Sequence, residues 1–261
     1  MKERSYMHKY SWVIAHFSPT GTTAKVARAI AKGTECPIRE ADLSTPLCSE
    51  TVGEDDILLA AMPVFGGRVP AVALERLATL KGRGQKAVAV VVYGNRAFDN
   101  ALLELTDALE ENGFQVIAAG AFIAEHSIVR SIAAGRPDAN DIEIASAFGA
   151  DIMKKLSQGN SSSVQVPGDP GYKEKASSNS ANHPKAGDTC IGCGMCARNC
   201  PVGAISLENP SETDGSKCIN CMRCVSICPQ KTRSLPGPML AAVERMLKET
   251  ASAPKQPELF L

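Results

Sequence analysis

The chain has 261 residues, in which 28 Lys and Arg balance 28 Asp and Glu. A net charge of zero removes the electrostatic argument for nucleic acid or an anionic membrane as partner, and no stretch approaches the roughly 18 apolar residues that mark a membrane span. The length exceeds one average domain, so two domains of unequal size are expected. Lys2, Arg4 and Lys9 precede an apolar stretch, Trp12 to Ala15, that ends at His16 and is too short for a secretory signal. A cytoplasmic chain with reduced thiols is therefore expected.

Residues 8–156 alternate short apolar runs with stretches of helix composition, the pattern of a parallel sheet wrapped by helices. The predicted strands are Ser11 to Phe17, a weaker Ile38 to Leu43, Ile57 to Met62, Ala87 to Tyr93 and Gln115 to Phe122. Val and Ala dominate the fourth, as in a strand buried on both faces. Thr22 to Lys32, Ala71 to Leu80, Asn100 to Asn112 and Ile142 to Leu156 are predicted helices. The fold class is a doubly wound α/β sheet of five strands, in a domain spanning 1–156.

The first strand runs into Ser18-Pro19-Thr20-Gly21-Thr22-Thr23 and then a helix. Small and hydroxyl-bearing residues there allow a loop to wrap a phosphate with backbone N–H groups and hydroxyls, aided by the partial positive charge of the helix N-terminus. The same residues also suit an ordinary helix cap. A Walker A loop is excluded because Gly21 is followed by Thr22 and Thr23, with Lys25 too late. Gly82 to Ala87 fits a loose dinucleotide pattern but precedes a strand, and so is a turn.

The run from Ser18 to Thr23 resembles, without a mismatch, the phosphate loop S/T-x-T-G-x-T with which flavodoxins hold FMN. That resemblance implies an FMN domain with strand order 2-1-3-4-5 and a phosphate held by Ser18, Thr20, Gly21, Thr22 and Thr23. It also places two flavin loops after the third and fourth strands, at Pro63, Val64, Phe65, Gly66 and Gly67, and at Tyr93, Gly94, Asn95, Arg96 and Phe98. The paired glycines permit close approach of backbone to a ring edge, and Phe65, Tyr93 or Phe98 offers an aromatic face. Core plugging by Phe65 and Phe98, and plain solvation of Arg68 and Arg96, are the competing readings. After the fifth strand come Glu125 and His126, which with Arg96 are the candidate proton donors or anchors if the flavin has a small-molecule substrate. Cys36 and Cys48 lack metal-ligand spacing and read as incidental thiols.

Residues 157–186 are rich in Ser, Asn, Pro, Gly and Lys, and read as an irregular linker. Its conformation, free or packed on the first domain, stays open. A second domain, 187–235, contains Cys190, Cys193, Cys196 and Cys200 before Pro201, then Cys218, Cys221, Cys224 and Cys228 before Pro229. Three cysteines spaced by three can cover one face of a 4Fe-4S cube, and the fourth ligand must come from elsewhere. Zinc sites use two pairs, without a third close cysteine and a following proline. Both runs closely resemble those of bacterial two-cluster ferredoxins, in which the fourth cysteine of each run serves the other cluster. That resemblance implies two 4Fe-4S clusters in a small α+β domain: one held by Cys190, Cys193, Cys196 and Cys228, the other by Cys218, Cys221, Cys224 and Cys200. In the last segment, 236–261, Met239, Leu240, Val243, Met246 and Leu247 form a helical stripe that packs on one of the domains.

Together these parts resemble the flavodoxin/ferredoxin fusions of the EFR1 family. The implied function is electron transfer between the two clusters, FMN and external redox proteins. The alternative is a flavoenzyme that reduces a small molecule such as a quinone. Monomer and homodimer both remain open.

Overall fold

The computed structural model describes residues 9–45, 50–174 and 182–261; Cys48, Lys2, Arg4 and the serine-rich part of the linker at 177–181 lie outside them. Strand β1 (Ser11–His16) leads to helix α1 (Thr22–Gly33), followed by β2 (Ile38–Asp42) and β3 (Asp56–Pro63). Helix α2 (Ala71–Leu77), β4 (Lys86–Tyr93), α3 (Ala101–Glu111), β5 (Gln115–Ile123) and α4 (Ala139–Ser157) complete the first unit. β1 to β5 are parallel in the order 2-1-3-4-5, a doubly wound, flavodoxin-like sheet.

Period-two alternation divides the core into two layers. Val13 and Ala15 of β1 face α2 and α3, whereas Trp12 and Ile14 face α1 and α4. β3 is buried along its whole length, which is why its residues read as a continuous apolar run. β2 is mostly exposed at the sheet edge, matching its weaker signal. α1 and α4 approach so closely that a Cβ on Gly149 would lie 2.0 Å from the Ile30 carbonyl oxygen, and one on Gly33 1.9 Å from that of Ser146. Glycine is required at this crossing by contact rather than by backbone angle.

The segment after α4 is packed on the first unit. Val164 donates its N–H to Val116 O at 3.0 Å, and Val164 and Val166 lie against the core. A 3-10 turn, Pro170–Glu174, buries Tyr172, whose hydroxyl donates to Asp107 at 2.7 Å. The alternative of a flexible tether therefore does not hold for 160–172.

The cysteine-rich unit is built on β6 (Lys185–Ala186) paired antiparallel with β7 (Arg233–Ser234), with short helices α5 (Met195–Arg198) and α6 (Arg223–Ser226) inside the two cysteine runs. Helix α7 (Gly237–Thr250) then packs Leu240, Val243 and Leu247 on Ile128, Val129 and Ile132 of the loop after β5, leaving Met246 exposed. The chain ends back on the first sheet. β8 (Glu258–Phe260) pairs antiparallel with Ala119 to Ala121 of β5, so the sheet has six strands where five were expected. Among the described residues, no helix is long and apolar enough to cross a membrane.

Candidate cofactor sites between the two units

The sheet positions the loops at its carboxyl edge by extending its ladder beyond the strands. Phe17 N donates to Ala61 O at 3.1 Å, Val64 N to Val92 O at 3.0 Å and Ala124 N to Tyr93 O at 2.9 Å. The loops after β1, β3, β4 and β5 thus start from fixed, adjacent points. The order reverses between β1 and β3, the position where open α/β sheets leave a ligand crevice.

In the first loop, Ser18 Oγ accepts from Ala24 N at 3.0 Å and Ser18 N donates to Ser44 Oγ at 2.8 Å. Ser18 therefore performs a capping task, the competing reading for this one residue. Gly21 caps α1 at φ 91° without a side-chain bond, and the first turn contains no acidic residue. Among the described residues the Thr20 and Thr22 hydroxyls make no hydrogen bond, and both face open cavities. Uncommitted hydroxyls beside a helix N-terminus suit a phosphate.

The second loop is a two-residue turn. Phe65 N donates to Arg68 O at 2.8 Å and Arg68 N to Phe65 O at 3.2 Å, with Gly66 and Gly67 at φ 60° and 84°. Both central angles lie in the left-handed region that favours glycine, and at Gly67 a Cβ would also lie 2.3 Å from the Asp99 carboxylate. Arg68 is committed elsewhere: its Nε donates to Glu104 at 2.9 Å, Nη1 donates to Tyr172 O at 2.9 Å, and the guanidinium lies 4.9 Å over the Tyr172 ring. It is a clamp holding the turn to α3 and the 3-10 segment.

In the third loop, Tyr93 and Phe98 are buried as an edge-to-face pair 5.6 Å apart, and burial pushes the Tyr93 hydroxyl up to about 12. Tyr93 still lines the narrower cavity, whereas Phe65, half-buried, lines both that cavity and the larger cleft. Asn95, in the left-handed region at φ 65°, donates to Ala251 O at 2.6 Å and Ala253 O at 2.9 Å. Arg96 pairs with Asp99, while its carbonyl accepts from Lys255. The structure thus ties this loop to the C-terminal segment.

After β5, His126 packs on Gly94, where a Cβ would come within 2.4 Å of the ring. Its Nδ1 accepts from Ile128 N at 3.3 Å and Val129 N at 3.1 Å, so the neutral ring carries its proton on Nε2. Burial, and then the charge of Arg96, hold His126 below its ordinary range. Burial pushes Glu125 up, but Arg130 and the Gly135 N–H outweigh it and keep the carboxyl below its usual range. At neutral pH His126 is therefore a neutral ring that donates a hydrogen bond through Nε2, and Glu125 is a carboxylate that only accepts.

The two cysteine runs have the same backbone. Gly192 and Gly194 have φ of 65° and 69°, and Asn220 and Met222, at the equivalent places, 52° and 60°. Left-handed residues alternating with right-handed ones turn N–H groups to one side, a concavity suited to an anion. Met222 takes this conformation without being glycine, a local cost the second run retains. Cys200, Cys218, Cys221 and Cys224 line one small cavity, and Ala204 N donates to Cys200 Sγ at 3.2 Å. Burial pushes the Cys221 thiol up to about 12, and raises Cys218 and Cys224. Burial also acts to raise Cys228, but backbone N–H groups of 230–233 lower it overall. Buried thiols of this kind become thiolates when a metal cation supplies the missing charge. Among the described residues no three His, Cys, Asp or Glu converge as ligands of one ion; a cube needs one thiolate on each iron, not convergence. Cys36 is buried beside Thr34, away from both sites.

The two sets of loops meet. A cleft of about 1000 Å³ is lined by the Phe65 to Arg68 turn, Asp99 and His126 on one side and Cys218, Ile219 and Met239 on the other. A narrower cavity of about 60 Å³ joins Thr20, Thr22, Phe65, Gly94 and His126 to Cys221. A third, of about 550 Å³, adjoins Thr20 and Thr22 and reaches Cys228 and Arg233. Arg76 bolts the units together, donating to Leu43 O at 2.8 Å and Pro201 O at 2.5 Å. The sequence carried no signal for Arg76, an ordinary helix-surface arginine by pattern. Asp99, under the glycine turn, was likewise visible only as a loop residue.

Residues 189–232 match the 4Fe-4S dicluster domain family. No curated protein matches the chain. Among solved structures, a flavodoxin from the domain Archaea is 17% identical, with 56% of this chain and 98% of that one aligned at a TM-score of 0.44. Oxidised flavodoxin 1 from Bacillus cereus is 20% identical over 55% of this chain and 97% of that one, at a TM-score of 0.40. The flavodoxin of Streptococcus pneumonia TIGR4 is 19% identical over 56% and 99%, at a TM-score of 0.39. The fold assignment rests on the strand order itself.

Proposed function

We propose that the protein is an electron carrier that holds two 4Fe-4S clusters and one FMN, with the second-run cluster next to the flavin. The observation that carries this reading is the shared wall: Cys218 and Cys221 line the same cavities as the glycine turn, the phosphate loop and His126. Each cluster supplies a one-electron site, and FMN a site for one or two electrons with protons.

The chain's own residues divide the work. Thr20, Thr22 and the N-terminus of α1 hold the FMN phosphate. Gly66 and Gly67 would let backbone approach a bound ring, and Phe65 would offer it an aromatic face. His126, fixed through Nδ1 and lining the cleft, offers its Nε2–H as a hydrogen-bond donor. Cys218, Cys221, Cys224 and Cys200 hold the flavin-side cluster; Cys190, Cys193, Cys196 and Cys228 hold the other, the side open to an external redox protein. Exposed Ile191, Met195 and Leu207 around the first run give such a partner an apolar landing. Arg76 and the C-terminal segment keep the two units in register.

Anaerobically purified full-length protein is expected to contain about eight iron, eight acid-labile sulfide and one FMN per chain. About four iron with all cysteines reduced and present would contradict the two-cluster reading, and protein that neither retains nor takes up FMN would contradict the flavin site.

A further inference from the structure

Arg233 is a buried cation without a counter-charge. It lies in β7, 3% exposed. Its Nη1 donates to Pro210 O at 2.7 Å, its Nη2 donates to Pro184 O at 3.1 Å and to Thr213 Oγ1, and its Nε has no partner. Every oxygen it touches is neutral, and among the described residues no carboxylate pairs with it. A guanidinium in the interior with only neutral acceptors is unfavourable unless an anion stands nearby.

The remaining neighbours identify that anion. Nη1 lies 3.6 Å from Cys196 Sγ, and the Arg233 backbone N–H is directed to Cys228. Both cysteines belong to the set proposed for the first-run cluster. The guanidinium also reaches the other set, through a hydrogen bond and its charge on Cys224 and its charge on Cys218, but the sulfur at hydrogen-bonding distance from Nη1 is that of Cys196. Four thiolates on a cube leave a net dianion, which becomes a trianion when one electron enters. A fixed cation beside it attracts the reduced form more strongly than the oxidised form. Each neutral partner then has a role, since Pro184 O, Pro210 O and Thr213 hold the fork in place without cancelling its charge.

We propose that Arg233 is the built-in counter-charge of the cluster pair, a positioning residue that raises the reduction midpoint of the first-run cluster above the value its ligands alone would set. The inference rests on the two-cluster reading. Its test is the midpoint of each cluster, measured by anaerobic potentiometric titration with EPR on the full-length holoprotein after iron has been counted.

Arg233→Gln is expected to lower the first-run midpoint by at least tenfold in the one-electron equilibrium constant, about 59 mV, with a smaller change at the second cluster. Arg233→Lys keeps a charge but loses the fork, and gives a smaller negative shift. Thr213→Val removes one neutral acceptor and leaves both midpoints within about threefold of the parent. Midpoints unmoved in an iron-replete Arg233→Gln protein overturn the proposal, as does a Thr213→Val shift equal to that of the glutamine variant. Should Arg233→Gln not load iron, the lysine variant decides, and a midpoint equal to the parent's overturns the proposal. A parent with about four iron would fail the two-cluster reading separately, because the midpoint of the cluster it holds is still measured.

Discussion

At Ser18, Thr20 and Thr22 three hydroxyls of one loop have different employment. Ser18 caps Ala24 N, whereas the two threonines are uncommitted and face the cavities. Replacing both threonines by Ala removes two donors to a charged phosphate, each worth about 1.5–3 kcal/mol. FMN affinity measured by fluorescence titration should fall at least tenfold while iron content stays at the parent value. Unchanged affinity would contradict the phosphate assignment; loss of iron would show that the change acts on folding. The loop was legible because chemistry confines a phosphate grip to small and hydroxyl residues. The aromatic neighbours were legible only as a group: Tyr93, Phe98 and Phe65 are equally apolar on paper. Which of them stays half-buried at the cavities depends on the turn geometry at Gly66 and Gly67 and on the packing of α3. Arg68 and Arg96 are equally ambiguous in sequence, since their partners, Glu104 and Asp99, become neighbours only through the fold.

At the scale of elements, the sheet and its helices follow from periodicity, and the helix crossing follows from size. β1, β3, β4 and β5 are apolar enough to be read directly, and α1 to α4 lie where helix composition places them. β8 was not readable because three residues, Glu258 to Phe260, carry no alternation that distinguishes a strand from a tail. Its strand character comes from the free edge of β5, a non-local partner. The packed part of the linker escaped for a related reason, with Val164, Val166 and Tyr172 spread over a segment without a period. The α1–α4 crossing yields a quantitative expectation. Gly149→Ala places a methyl group 2.0 Å from the Ile30 carbonyl oxygen, so the helices must separate. An overpacking cost of roughly 1–3 kcal/mol follows. The thermal midpoint of the first unit should drop by several degrees, with iron retained. An unchanged midpoint would mean that the helices are not in the contact described.

In the whole molecule, the C-terminal segment makes one body of two units. It leaves the cysteine-rich unit as α7, packs on the loop after β5, is held by Asn95 and Arg136, and ends in the first sheet. With Arg76 on Pro201, this fixes the second cysteine run against the loops at the carboxyl edge. Sequence alone separated the two units by their cysteines, but it had no means of bringing them together, because the contacts join residues more than a hundred positions apart. Contact of the clusters with the flavin within one chain is put to the test by anaerobic reductive titration of the full-length holoprotein, following flavin and cluster absorption together. Uptake of about four electrons per chain is predicted, one for each cluster and two for FMN, with both sets of bands bleaching in the same protein. Uptake of about two electrons with no flavin band to bleach would contradict it.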